Sequence, residues 1–118
     1  MPSRSVRARL DDIREALAGI ETTLVGVSFE TFATSWQLQR AIERGLEIIS
    51  EASRSLPDEL KQRAPQIQWP AIAAIGNILR HEYQRVETRL VWNIAEQHLG
   101  PLRAAIDAIS AALDQSSG

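Results

Sequence analysis

Apolar residues recur along this chain at intervals of three and four, the repeat of an α-helix that buries one face. Val6, Leu10, Ile13, Leu17, Ile20 and Leu24 form the first such stripe and predict a helix from about Ser5 to Leu24. Ser5 or Ser3 is placed to cap it, and Gly26 lies just past its end, where a left-handed residue terminates a helix at low cost. Ser28 to Phe32 fits one short turn. Leu38, Ile42, Gly45, Leu46, Ile49, Ala52 and Leu56 share one face of a second helix, from about Ser35 to Ser55, capped by Thr34 or Ser35. Pro57 closes it, because the residue before a proline is pushed out of the helical region. Pro57-Asp58-Glu59-Leu60 then opens a short helix that Pro65 ends. The third stripe is Ile72, Ile75, Leu79, Tyr83, Val86, Leu90 and Ile94. It predicts one long helix from Trp69-Pro70 to about Gln97, with a break near Gln84 to Thr88 as the alternative. Gly100-Pro101 reads as a stop and restart, and Leu102, Ala105, Ile106, Ile109 and Leu113 line a last helix. No alternating run of β-branched residues signals a strand. The expected fold is all-α, an up-and-down bundle of four long helices plus one or two short ones. It forms a single domain over residues 1–114, followed by a polar, frayed tail at 115–118.

Composition narrows the chemistry. The 118 residues carry 13 Lys+Arg and 15 Asp+Glu, a formal net charge of −2, and the cations are twelve Arg and the single Lys61. That balance weighs against a general nucleic-acid coat, which leaves a basic footprint, while a local arginine-lined site stays compatible with it. The absence of Cys removes disulfides, thiolate nucleophiles and zinc-thiolate sites, and suits a reducing cytosol. No apolar run approaches the roughly 20 residues of a membrane span. Residues Met1 to Ile13 hold no apolar leader core. The expected location is the cytoplasm, with no membrane attachment.

Familiar catalytic patterns are missing. There is no Gly-x-Ser-x-Gly, and the six Gly are scattered singly, so no glycine loop cradles a phosphate. A di-metal bundle needs Glu-x-x-His pairs. Ile78 and Ala95 stand where His81 and His98 would need a Glu, so neither a metal nor another cofactor is expected. The unusual stretch is Gly76 to Arg85, which sets Asn77, Arg80, His81, Glu82, Tyr83 and Arg85 within an otherwise apolar helical pattern. Asn77 and His81, four apart, share a face, and Arg80 and Tyr83 lie within one turn. Such a group fits a general acid/base cluster around His81. On spacing alone, a half-buried structural histidine flanked by the solvated Arg80 and Arg85 is the better fit. Trp36, Trp69 and Trp92 read as core or interface anchors, His98 as a residue at a helix C-terminus, and Ala71, Ala74 and Gly76 as a smooth face for close helix approach.

The same stretch carries a resemblance that extends over nearly the whole chain. It includes Ile13-Arg14-Glu15, Phe29-Glu30-Thr31-Phe32, Gln39 to Glu43, Ile48 to Ala52 and Leu56-Pro57. It continues through Ile67-Gln68-Trp69, Asn77 to Tyr83, Val91-Trp92 and Leu99 to Leu102. In this order and spacing the chain resembles the HepT-like branch of the HEPN domains, small helical proteins encoded beside minimal nucleotidyltransferases. The family signature is an Arg, four residues, a His, any residue and a Tyr. His81 and Tyr83 match it, and Asn77 matches the Asn that often follows the Arg. The Arg position itself falls on Gly76, where this chain departs from the pattern.

The resemblance implies a homodimer in which Arg and His of two subunits face each other and cleave RNA without a metal. A ribose 2′-hydroxyl attacks its own phosphate, the His moves the proton and the Arg stabilises phosphate charge. Here His81 would be the acid/base and Asn77 a positioner. Arg80 would take the place of the missing Arg, with Arg40, Arg44, Arg85 and Glu51 as supporting residues. Tyr83 falls where the partner nucleotidyltransferase antitoxin attaches AMP, silencing the toxin of this type VII toxin–antitoxin pair. The alternative is a catalytically dead HEPN module, its signature Arg replaced by Gly76, that only binds the nucleotidyltransferase. A plain helical dimerisation protein is the third reading.

Overall fold

A computed structural model describes residues 5–81 and 88–117, with the side chains of 5–80 and 88–115. The described residues form seven helices: α1 (Val6–Leu24), α2 (Phe29–Ala33), α3 (Trp36–Arg54), α4 (Asp58–Lys61), α5 (Trp69–His81), α6 (Thr88–Gln97) and α7 (Leu99–Ser117). None of them is long and apolar enough to cross a membrane. The fold is all-α.

Three serines start three of these helices. Ser5, Ser28 and Ser35 have extended backbones, and their hydroxyls accept from the amides of Ala8, Thr31 and Leu38 at 3.0, 3.1 and 3.1 Å. Each satisfies an amide that the first turn leaves unpaired. Gly26, at φ +72°, makes the turn out of α1. The apolar stripes fill the core: Leu10, Ile13, Leu17, Ile20 and Leu24 of α1 meet Ile42, Leu46 and Ile49 of α3, and Leu102, Ile106 and Ile109 of α7.

Helix α3 is the hub, packing against α1, α2, α5 and α6, while α7 packs on α1 and α6. Arg7 pairs with Asp114, Arg14 with Asp107 and Glu21 with Arg103, so α1 and α7 run antiparallel. These pairs are exposed and set register more than stability. Arg9 and Asp12, early in α1, share a cleft with Glu47 and Glu51, late in α3, so that pair is antiparallel too.

Two departures from the periodicity have physical causes. A continuous helix in phase with Ile72, Ile75 and Leu79 would bury Leu90. Instead Leu90 is 42% exposed and Val91 is 2% exposed. Helix α6 therefore presents a face about 100° out of that phase, because it packs on α2, α3 and α7. The expected break at Gln84 to Thr88 falls mostly outside the described residues. Gly100-Pro101 does not stop a helix: both lie in the first turn of α7, where proline's missing amide costs nothing, and the boundary falls at His98. Helix α7 also runs on to Ser117, three residues into the polar segment expected to fray.

Close approach of α1 and α3 rests on Gly45. A Cβ there would sit 2.8 Å from both Cγ1 and Cδ1 of buried Ile20. At Gly19, also within a helix, a Cβ would meet nothing within 4 Å. Gly45→Ala is expected to lower unfolding free energy by about 1–2 kcal/mol through overpacking. Gly19→Ala is expected to raise it by about 0.5–1 kcal/mol through helix propensity. Urea denaturation of the two variants measures this opposition of sign.

Candidate functional site

Helix α5 positions the sequence-predicted cluster. Its buried face carries Ile72, Ile75, Gly76 and Leu79. Asn77 and Arg80 stand on the exposed side, and His81 is its last residue. The side chain of His81, and all of Tyr83 and Arg85, lie outside the described residues.

The α5–α3 contact is built from hydrogen bonds as well as apolar groups. Ser50 of α3 is 1% exposed. Its hydroxyl donates to the carbonyl of Ala73 at 2.8 Å and accepts from the amide of Gly76 at 3.0 Å. Arg54 also donates to that carbonyl, at 3.1 Å through Nη2. The small residues at this contact are Ala73 and Gly76, whereas Ala71 and Ala74 face solvent. A Cβ on residue 76 would lie 2.9 Å from the Ser50 hydroxyl, so the position is closed to a side chain unless Ser50 shifts.

The same spot explains where Arg80 goes. Side chains on a helix lean back toward its N-terminus, so a residue at i covers the surface near i−4. Arg80 follows this rule. Its Nη1 lies 3.3 Å from where a Cβ on Gly76 would be, and its Nη2 donates to Asn77 Oδ1 at 3.0 Å. The guanidinium is thus brought to the place a side chain at position 76 would leave from, and Asn77 holds it there.

Beyond Arg80 opens a cleft of about 360 Å³ between α1, α3 and α5. Its charged lining is Arg9, Asp12, Arg44, Glu47, Glu51 and Arg80, over a floor of Ile48 and Ala52. Three guanidinium groups from three helices meet three carboxylates. Arg44 approaches Glu47 at 3.5 Å. Arg9 Nε is shut off from solvent and has no hydrogen-bond partner among the described residues. Glu51 faces the same cleft as Arg80. Arg40 does not: it pairs with Glu43 at 2.7 Å and lies over Trp36, which is 70% exposed. Of the other tryptophans, Trp69 is buried and donates to the carbonyls of Lys61 and Ala64. Trp92 is half-buried against Phe29 and Phe32. Among the described residues, no group of three or more His, Asp or Glu is arranged to hold a metal ion.

Sequence reasoning missed Arg9. The signal that could have found it is weak: Arg9 and Asp12 stand three apart on the polar side of the first helix, a pattern shared with many solvated faces.

Comparison with known proteins bears on this arrangement. A family model described as "Ribonuclease HepT-like" matches residues 13–109. A "Probable ribonuclease HepT" of Thermococcus cleftensis is 33% identical over 106 residues, covering 90% of this chain and 96% of that protein. Two proteins named "Putative RNase" are also similar. One, from Methanocaldococcus jannaschii, is 33% identical over 80% of this chain and 78% of its own length. The other, from Caldanaerobacter subterraneus, is 31% identical over 90% and 95%. No solved structure matches the chain significantly.

The packing at residue 76 makes a sign-dependent prediction. Gly76→Ala adds helix propensity but drives a Cβ against the Ser50 hydroxyl, and is expected to destabilise by about 1–2 kcal/mol. In a Ser50→Ala background the same change is expected to be neutral or stabilising. A double-mutant cycle by chemical denaturation measures the coupling.

Proposed function

The chain belongs to the HepT-like ribonuclease family, and from that premise we propose that it is a metal-independent endoribonuclease in which Arg80 replaces the family's signature arginine. The observation that carries this reading is the guanidinium of Arg80 lying over Gly76, adjacent in sequence to His81 and held by Asn77. His81 takes the proton of a ribose 2′-hydroxyl as that oxygen attacks the neighbouring phosphorus. The bond from phosphorus to the 5′-oxygen breaks, the departing oxygen takes up a proton, and the products are a 2′,3′-cyclic phosphate and a 5′-hydroxyl. Arg80 stabilises the charge that builds on the non-bridging phosphate oxygens. RNA supplies its own nucleophile, which agrees with a chain that has no Cys.

The toxin role, the homodimer and the cytoplasmic setting belong to the same reading. A two-fold pairing would bring two copies of Arg80 and His81 to one RNA. A minimal nucleotidyltransferase partner would silence the site by transferring AMP to Tyr83, placing negative charge and bulk two residues from His81. The second reading, a non-catalytic module that only binds the nucleotidyltransferase, is favoured by one observation: position 76 has no side chain and little room for one.

Purified protein incubated with RNA in a chelator is expected to leave cyclic-phosphate ends. His81→Ala is expected to slow cleavage by about 10²–10⁴-fold, and Arg80→Ala by about 10²–10³-fold. An Arg80→Ala variant as fast as wild type would remove Arg80 from the mechanism. No cleavage by any form, together with stable binding to the nucleotidyltransferase, would select the second reading. Intact mass after coexpression is expected to show one added AMP on the wild type and none on Tyr83→Phe.

A further inference from the structure

Arg9, which no family motif on this chain includes, sits in an unusual state. Its Nε is shut off from solvent and has no hydrogen-bond partner among the described residues, so a ligand would meet the guanidinium through its Nη groups. Arg9 lines the cleft with two more guanidinium groups, Arg44, which approaches Glu47 at 3.5 Å, and Arg80, which Asn77 holds at 3.0 Å. Guanidinium forks match phosphate oxygens in geometry as well as charge. Arg80 belongs at once to this cleft and to the spot over Gly76.

We propose that the cleft of Arg9, Arg44 and Arg80 binds a backbone phosphodiester of single-stranded RNA, one adjoining the phosphate that is cleaved. This deepens the ribonuclease reading and rests on it for the identity of the polymer. Two features point to a phosphodiester in a chain rather than a free phosphate or a triphosphate. Asp12, Glu47 and Glu51 balance the three arginines, so the lining is neutral overall and disfavours ligands that carry several negative charges. A second cavity, also of about 360 Å³, continues along the α1–α3 groove and shares Asp12, Arg44 and Ile48 with the first. An extended ligand can occupy both, and a lone anion cannot. Each cavity is within the span of small-ligand sites, about 300–1,000 Å³.

The test uses a fluorescein-labelled RNA hexamer with 2′-O-methyl riboses, which binds but cannot be cleaved, read by anisotropy. Arg9→Gln is expected to weaken binding roughly tenfold, the loss of one charge-assisted contact. It is also expected to flatten the slope of log affinity against log salt by about 0.7. With cleavable RNA, KM is expected to rise while kcat holds, the mark of a residue that grips substrate away from the reacting atoms. ATP and inorganic phosphate are expected to compete poorly. In the wild-type protein the Arg9 Nε–H resonance is expected to shift on adding the hexamer, a readout that needs no variant to fold. Unchanged affinity and salt slope in Arg9→Gln, a silent Arg9 resonance, or competition by ATP as strong as by unlabelled hexamer would overturn the proposal. If His81→Ala cleaves like wild type while Arg9→Gln still loses affinity, the ribonuclease reading falls and the cleft stands. If His81→Ala is inactive while Arg9→Gln is indistinguishable from wild type, the cleft falls and the ribonuclease reading stands.

Discussion

Helix α5 lies so near α3 that one serine hydroxyl bridges two of its backbone groups, and much else in the molecule is arranged around that contact. Ser50 Oγ links the carbonyl of Ala73 to the amide of Gly76. The Gly76 amide is buried and the Ala73 carbonyl half-buried, so the bridge satisfies both while fixing α5 in height and rotation. A side chain at residue 76 is then sterically excluded, and a guanidinium from residue 80 leans into the space beside it. In the proposed reading, a glycine at the signature position and the placement of Arg80 go together with this packing.

The electrostatics follow from the same geometry. Arginines at 9, 44 and 80 would repel one another if nothing lay between them. Asp12, Glu47 and Glu51 are interleaved with them, so the cleft stays near neutral and the folded chain keeps its slight net negative charge. The composition argued against a broad basic surface, and in this cleft three arginines from three helices stand among as many carboxylates. Arg40, by contrast, is occupied with Glu43 and Trp36 and stands apart from that site.

The helical stripes were legible because burial on one face of a helix writes a repeat of three and four into the sequence, and Leu10 to Leu24 or Ile42 to Ile49 follow it closely. Where several partners compete for one helix, the repeat misleads. Leu90 continues the stripe of α5 and is exposed, while Val91 is buried because α6 turns toward α2, α3 and α7. Gly100-Pro101 looked like a terminator, yet the first turn of a helix tolerates both residues. At the site, Asn77, Arg80 and His81 could be singled out because they are local in sequence. Gly76 could be read as a small residue for close helix approach, but its partner Ser50, 26 residues away, could not be named. Nor could Arg9, whose partners in the cleft come from two other helices.

In the proposed mechanism the position of one guanidinium governs cleavage, and Ser50 selects the residue that supplies it. The direct measurement compares RNA cleavage by Arg80→Ala with cleavage by the triple variant Ser50→Ala/Gly76→Arg/Arg80→Ala, which opens the space beside residue 76 and moves the arginine there. The triple variant is expected to recover much of the activity that Arg80→Ala loses. A triple variant that folds, binds RNA and remains as inactive as Arg80→Ala would contradict it.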